Sequence, residues 1–291
     1  MIWRETLAGI VSGTLYIVAT PIGNLEDLSP RAARILAEVG LIACEDTRQT
    51  RKLLEHLGLR RPLVSFHEHN EKERCEHLLE RLEEGVSVAL VSDAGTPTIS
   101  DPGYRLVRQA IARGVAVTAI PGPNAAVTAL CASGLPTDAF YFGGFFPAKR
   151  NQRVQQLKEL KDLPATLIFY ESPHRILASL EDVAQVLGER PVVVARELTK
   201  VHEEFLRGSA ASIRQMLEQR PAVRGEMTVL IAKAGPVAEP AARIPSDPSA
   251  ALERYLAQGM SRMQALKAVA KDHGLSKREL YRFLEKTSRR Q

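Results

Sequence analysis

Short apolar, β-branched runs alternate with amphipathic helical patterns along the first 120 residues. Thr14–Ala19 reads as a first strand, stopped by Thr20-Pro21-Ile22-Gly23-Asn24. Ser29-Pro30 supplies an N-cap and a helix-starting proline, and Ala33, Ile35, Leu36 and Val39 recur at helical spacing up to Gly40. Leu41–Cys44 reads as a second strand, Arg51–Leu57 as a helix and Leu63–Phe66 as a third strand. Residues 71–84 place Cys75, Leu78, Leu79 and Leu82 on one face and dense charge on the other, as a surface helix does. Val86–Val91, apolar but for Ser87, is a fourth strand. A helical pattern through Tyr104, Leu106, Val107 and Ile111 leads to a fifth strand, Val115–Ile120. This alternation predicts an α/β fold with a parallel, doubly wound sheet.

Pro121-Gly122-Pro123-Asn124 marks a domain boundary, and the small residues Ala125–Cys131 read as a connecting helix. Beyond it, strands are predicted at Thr166–Tyr170, Pro191–Arg196, Glu203–Arg207 and Met227–Ile231, with helices at 150–161, 174–187 and 209–218. The short gap before Glu203 points to antiparallel pairing, hence a mixed second sheet. Residues 235–248 are rich in Pro and Ala and read as a linker. Residues 249–286 carry three short helical patterns. Gly274 and Ser276 supply a C-cap and an N-cap between the last two, which together resemble a helix-turn-helix. The expected domains are therefore 13–123, 124–235 and a basic helical segment, 247–291.

Charge sharpens this division. The net charge is +5, and residues 247–291 hold 10 Lys and Arg against 5 Asp and Glu, whereas residues 1–246 hold 29 of each. The whole basic surplus lies in the tail, where it suits a polyanion such as nucleic acid, or simply a solvated surface. No apolar run reaches the ~18 residues of a membrane span, and Ile2–Val11 is a poor signal peptide because it carries Arg4 and Glu5. Cys44, Cys75 and Cys131 form neither a disulfide framework nor a metal-ligand spacing, as expected for a cytoplasmic protein. His67 and His69 lack an evident third ligand, so no metal site is expected.

The chemistry concentrates where strands end. Ser92-Asp93-Ala94-Gly95-Thr96-Pro97 stops the fourth strand and begins a long loop running to Gly103. Open α/β sheets bind ligands at this position. Gly95 permits close backbone approach, while Asp93, Thr96, Ser100 and Asp101 offer hydrogen bonds to a small polar molecule. No Gly-x-Gly-x-x-Gly opens a helix here, so the loop is not a dinucleotide fingerprint.

Six signatures follow one another in order: Gly13 to Pro30, Ala43-Cys-Glu-Asp-Thr-Arg48, Phe66-His-Glu-His-Asn70, Ser92 to Gly103, Ile120-Pro-Gly-Pro-Asn124 and Phe169-Tyr-Glu-Ser-Pro-His-Arg175. Together they resemble the ribosomal RNA small subunit methyltransferase I family, within the tetrapyrrole methylase superfamily. The likeness covers about residues 13–235, and the basic tail resembles that family's appended helical domain. It implies a two-domain tetrapyrrole-methylase-like fold and a homodimer. It also implies S-adenosylmethionine-dependent 2′-O-methylation of a cytidine ribose in the decoding region of small-subunit ribosomal RNA.

The resemblance also implies roles. Cofactor contacts fall on Pro21, the loop residues Ala94, Gly95, Thr96 and Ile99, then Asn124 and Ala125, and from the second half Glu171, Leu198 or Thr199, and Gly225-Glu-Met-Thr228. The tetrapyrrole enzymes carry Gly-Gly-Asp-Pro where this chain has Ala94-Gly95-Thr96-Pro97. The acidic contact made there falls here to Asp93 or Asp101. A sugar hydroxyl needs a general base, and strand-end candidates are Asp46, His67, Asp101 and Glu171, with Asp101 or Glu171 expected nearest the ribose. Asp46 has a plainer reading as an N-cap, and Glu171 as an electrostatic cap. Expected RNA contacts are Arg48, Lys149, Arg150, Arg153 and Arg175, with Lys277, Arg278 and Arg282 in the tail. Two other functions compete. A tetrapyrrole C-methyltransferase sits poorly with the basic tail, and a non-catalytic RNA-binding protein with a vestigial pocket sits poorly with the intact loop.

Overall fold

The computed structural model describes residues 12–235, 247–257, 259–273, 275–276, 280 and 283–284. The chain divides into two compact units between Gly235 and Pro236. The first unit holds two five-stranded sheets. The first sheet comprises β1 (Thr14–Val18), β2 (Leu41–Cys44), β3 (Leu63–Ser65), β4 (Val88–Val91) and β5 (Ala116–Ile120), in the order β3-β2-β4-β1-β5. Every pairing in it is parallel. The continuously apolar β4 lies at the centre with all four residues buried, as a parallel strand covered on both faces must. One face packs Leu15, Val88 and Leu90 under α3 (Glu71–Glu83) and α4 (Tyr104–Ala112). The other packs Val18, Ile42 and Val91 under α1 (Pro30–Glu38) and α2 (Thr47–His56).

The second sheet is mixed, as expected. It comprises β6 (Phe140–Phe145), β7 (Thr166–Glu171), β8 (Pro191–Arg196), β9 (Glu204–Ser209) and β10 (Met227–Ile231), in the order β6-β7-β10-β8-β9. Only β6 and β7 pair in parallel; β10 and β9 run antiparallel to their neighbours. The period of two sorts its faces. Leu167, Phe169, Val192, Val194 and Val229 pack with α7 (Ile176–Leu187) and α8 (Ala210–Glu218), and also with Leu157 of α6 (Arg150–Glu159). Ile168, Val193, Ala195 and Leu230 face the small residues of α5 (Ala125–Ser133). The segment read as a connector is thus also the cover of one sheet face.

Among the bounds that differ from expectation, two have clear local reasons. Helix α2 begins at Thr47, not Arg51, because the Asp46 carboxylate accepts from Arg48 N–H at 2.8 Å and caps it. Strand β9 runs on to Ser209, where the Ser209 side chain caps α8.

The second unit contains α9 (Pro248–Ala257) and α10 (Arg262–Asp272), packed through Ala251, Leu252, Ala265, Leu266 and Val269, with Leu280 completing the core. Most of the third helical pattern lies outside the described residues, including Gly274, Lys277, Arg278, Arg282 and Lys286. Among the described residues no helix is long and apolar enough to cross a membrane.

Candidate active site

The loops after β1 and β4 are stitched edge to edge. Thr20 N–H donates to Gly95 O at 2.9 Å and Gly95 N–H returns a bond to Thr20 O at 3.0 Å. The Ser92 hydroxyl donates to Gly95 O and the Thr20 hydroxyl to Ser92 O, each at 3.0 Å. The Thr96 hydroxyl reaches Pro123 O at 2.9 Å and ties in the loop after β5. Gly95 sits at φ +86°, a conformation a side chain would strain. Thr98 (φ +73°) and Ser100 (φ +63°) occupy the left-handed region as well. Such residues store about 1–3 kcal/mol each, and a β-branched threonine there is unusual outside functional sites.

A second clasp joins the loop after β1 to the loop after β8. Asn24 N–H donates to the Thr199 hydroxyl at 3.1 Å, and Thr199 is again left-handed (φ +65°). Gly23 allows the approach: a Cβ there would stand 2.5 Å from Lys200 Cγ. Lys200 is held in turn by Glu197 at 2.9 Å and Glu226 at 2.8 Å.

These loops enclose a cavity of about 400 Å³. Its wall brings together Asp93, Ala94, Gly95, Thr96, Ile99, Asp101, Asn124, Ala125, Glu171, Leu198 and Thr228, drawn from the ends of five strands and from both sheets. Sequence reasoning missed Ile22, Phe145 and Tyr170 on the same wall, whereas Met227 falls within the expected Gly225–Thr228 segment. Tyr170 adjoins Glu171 at the end of β7, so its position could have been inferred from Glu171. Phe145, which lies edge-on to Tyr170 at 5.5 Å, carries the weaker signal of the Gly143-Gly144 break before it. Pro21 does not line this cavity. It lies on a neighbouring one.

The acidic residues have distinct surroundings. Asp101 is half-buried, and desolvation, reinforced by Glu45 and Asp93, raises its pKa to about 6. Glu45 is raised too, first by burial and then by Asp93. Glu171 is buried and its oxygens are occupied. Oε1 accepts from Ser172 N–H and from Arg175, both at 2.7 Å, and Oε2 accepts from the Ser179 hydroxyl. It fixes the end of β7 through these three bonds. Asp46 is absent from the cavity wall; besides capping α2 it pairs with Arg48 at 2.7 Å, which holds its pKa down to about 2. His67 also lies off the wall, on the loop after β3, and donates its backbone N–H to Asn70 Oδ1 at 2.8 Å.

The candidate RNA-contacting cations divide in the same way. Arg48 and Lys149 are exposed. Arg153 is 3% exposed, bound to Asp182 at 2.6 Å and to Pro147 O at 3.0 Å, so its guanidinium has no surface to offer a phosphate. The expectation for Arg153 is therefore corrected: burial against Asp182 makes it a core residue. Arg150 binds the other oxygen of Asp182 at 2.8 Å from the surface side. Arg175 is spent on Glu171, the Ser172 hydroxyl and Phe146 O.

Known proteins extend this picture. A family profile described as tetrapyrrole (corrin/porphyrin) methylases matches residues 14–214. A protein named ribosomal RNA small subunit methyltransferase I from Halalkalibacterium halodurans is 51% identical over 271 residues, covering 92% of this chain and 93% of the relative. One of the same name from Escherichia coli O157:H7 is 47% identical, covering 93% and 94%. Among solved structures, a diphthine synthase superposes with a TM-score of 0.61 at 17% identity, covering 76% of this chain and 90% of that one. The uroporphyrin-III-C-methyltransferase of Thermus thermophilus gives 0.53 at 20%, covering 76% and 94%. These structures share the fold alone, whereas the sequence matches span both sheets, and so the chain belongs to the tetrapyrrole (corrin/porphyrin) methylases.

Proposed function

We propose that this protein transfers a methyl group from S-adenosylmethionine to the ribose 2′-hydroxyl of a cytidine in the decoding region of small-subunit ribosomal RNA. The observation that carries the reading is the likeness over nine-tenths of both chains to a relative named for small-subunit ribosomal RNA, with four of the six signature segments contributing to the wall of one cavity. The cavity fits the cofactor. At about 400 Å³ it lies within the range of small-molecule sites (~300–1,000 Å³), with Ile22, Phe145, Tyr170, Leu198 and Met227 as apolar surface and Asp93, Asp101 and Asn124 as polar groups. Bound there, S-adenosylmethionine supplies an electrophilic methyl group on a sulfonium.

The chain's own residues do the rest. The pinned loop 93–101 presents backbone groups at a fixed place, which makes orientation the first contribution. Asp101 is the general base. A carboxylate with a pKa of about 6 is ionised at neutral pH, yet is more basic than an ordinary aspartate. Glu171 and Arg175 position the end of β7 and leave the proton to Asp101. Arg48, Lys149 and the tail cations Lys277, Arg278 and Arg282 neutralise RNA phosphates. The domain division at 123/124, a homodimer and a cytoplasmic location belong to the same reading.

The test is tritium transfer from labelled S-adenosylmethionine into small ribosomal subunits that lack the modification, followed by nucleoside analysis. Label in 2′-O-methylcytidine is expected. No label in subunits or naked RNA, despite cofactor binding measured by calorimetry, would overturn the proposal.

A further inference from the structure

Beside the main cavity lies a second one of about 260 Å³. Its apolar surface comes from Pro21, Leu25 and Leu53, and its polar groups include Gln49, Lys52 and Asp93. Three observations give it a purpose. Asp93 lines both cavities, so whatever fills the second lies against the wall that carries Asp101. Asp93 Oδ1 accepts from Asp46 N–H at 3.0 Å, which fixes the carboxylate and leaves Oδ2 to accept from a ligand. Gln49 and Lys52 stand one turn apart on α2, with Lys52 Nζ 3.4 Å from Gln49 Oε1, and exposed Arg48 and Arg51 follow the same helix.

The volume falls below the range of whole-cofactor sites and suits a single flat ring. The polar set is a fixed acceptor beside an amide and an ammonium. It complements the edge of cytosine, which presents an amino donor, a ring-nitrogen acceptor and a carbonyl acceptor. Carboxylates read that amino group in other nucleic-acid complexes. RNA sequence is read chiefly from unstacked, splayed-out bases. The exposed cations of α2 would take the flanking phosphates.

We propose that the second cavity seats the nucleobase of the target nucleotide, everted from the RNA. Asp93 accepts from the exocyclic amino group of cytosine, while Gln49 and Lys52 donate to its ring nitrogen and carbonyl. This rests on the reading of the protein as a ribosomal RNA methyltransferase. It makes base identity the business of Asp93, which stands between the two cavities, and of α2, which lines only the second.

The experiment measures kcat/KM for transfer to small subunits bearing cytidine or uridine at the modified position, alongside cofactor affinity by calorimetry. The wild type should prefer cytidine by about tenfold or more. Leu25→Trp, a change at a half-exposed residue that fills the second cavity, should lower transfer to cytidine at least tenfold while cofactor affinity stays within about twofold. Lys52→Ala should raise KM for subunits severalfold with cofactor affinity unchanged. Asp93→Asn should narrow or invert the preference, because its amide donates to the uracil carbonyl. Wild-type transfer by both Leu25→Trp and Lys52→Ala would overturn the base pocket and leave the methyltransferase reading standing. So would an unaltered preference in an active Asp93→Asn protein. A wild type that binds cofactor and labels no subunit would overturn the methyltransferase reading, and the base pocket would fall with it.

Discussion

Replacing Asp101 with asparagine should make the protein more stable and nearly inactive. The reasoning starts from desolvation, which raises the folded-state pKa from an ordinary 3.8 to about 6. Between those values the folded state binds more protons than the unfolded chain, so stability falls as pH rises through that window. Above it the full cost of an ionised, half-buried carboxylate is present. A shift of about two units corresponds to at most about 3 kcal/mol, less where water reaches the group. Asp101→Asn keeps the shape without the charge. Urea unfolding at pH 8 should therefore show the variant more stable by about 1–3 kcal/mol, and the advantage should shrink towards zero near pH 4. Activity moves the other way, because removing a general base typically costs 10²–10⁴-fold. With wild-type protein, single-turnover tritium transfer at saturating cofactor should rise with pH through about 6 and level off above it. Full turnover by an Asp101→Asn protein that binds cofactor and subunits would refute the assignment. A destabilised variant at pH 8 would refute the account of the pKa.

Other outcomes follow from the same geometry. Asp182→Ala leaves Arg153 buried without its partner and should cost about 3–5 kcal/mol in urea unfolding. Glu171→Gln, which unpairs Arg175 and disturbs the bond from Ser179, should destabilise by a similar order, and its pH–rate profile should keep the wild-type midpoint because it does not carry the proton. Gly95→Ala, forced to φ +86°, should lose about 1 kcal/mol of stability by thermal unfolding and weaken cofactor binding several-fold by calorimetry. Changing Lys277, Arg278 and Arg282 to glutamine should flatten the salt dependence of RNA affinity by about 0.7 per lost phosphate contact, whereas an unchanged slope would remove the tail from the interface.

The loops were legible in the sequence and the arginines were not, and the difference is physical. A loop at a strand end announces itself locally: an apolar run stops, glycine and proline follow, and the next helix begins with its cap. That is why the residues of the 93–101 loop could be grouped before their contacts with Pro123 and Thr20 were known. An arginine has no such local signature, because its partner is chosen by packing. Arg150 and Arg153 open α6 against the helix dipole, which reads as a binding surface. Their partner, Asp182, lies on α7 beside an otherwise apolar stripe of Ile176, Leu180, Val183 and Leu187. An aspartate at a buried helical position was the available signal, since a buried charge demands a pair.

The same distinction decides which cations remain for RNA. Arg48 has an ion pair too, yet its side chain is 82% exposed and its partner is partly solvated, so the pair contributes little to the fold and a phosphate can replace it. Arg153 and Asp182 are each almost wholly enclosed, and drawing that guanidinium out would strand a buried carboxylate. Exchange of partners is therefore open at Arg48 and closed at Arg153. Helix α2 flanks the second cavity, so Arg48 is carried on the helix beside which an everted base would enter.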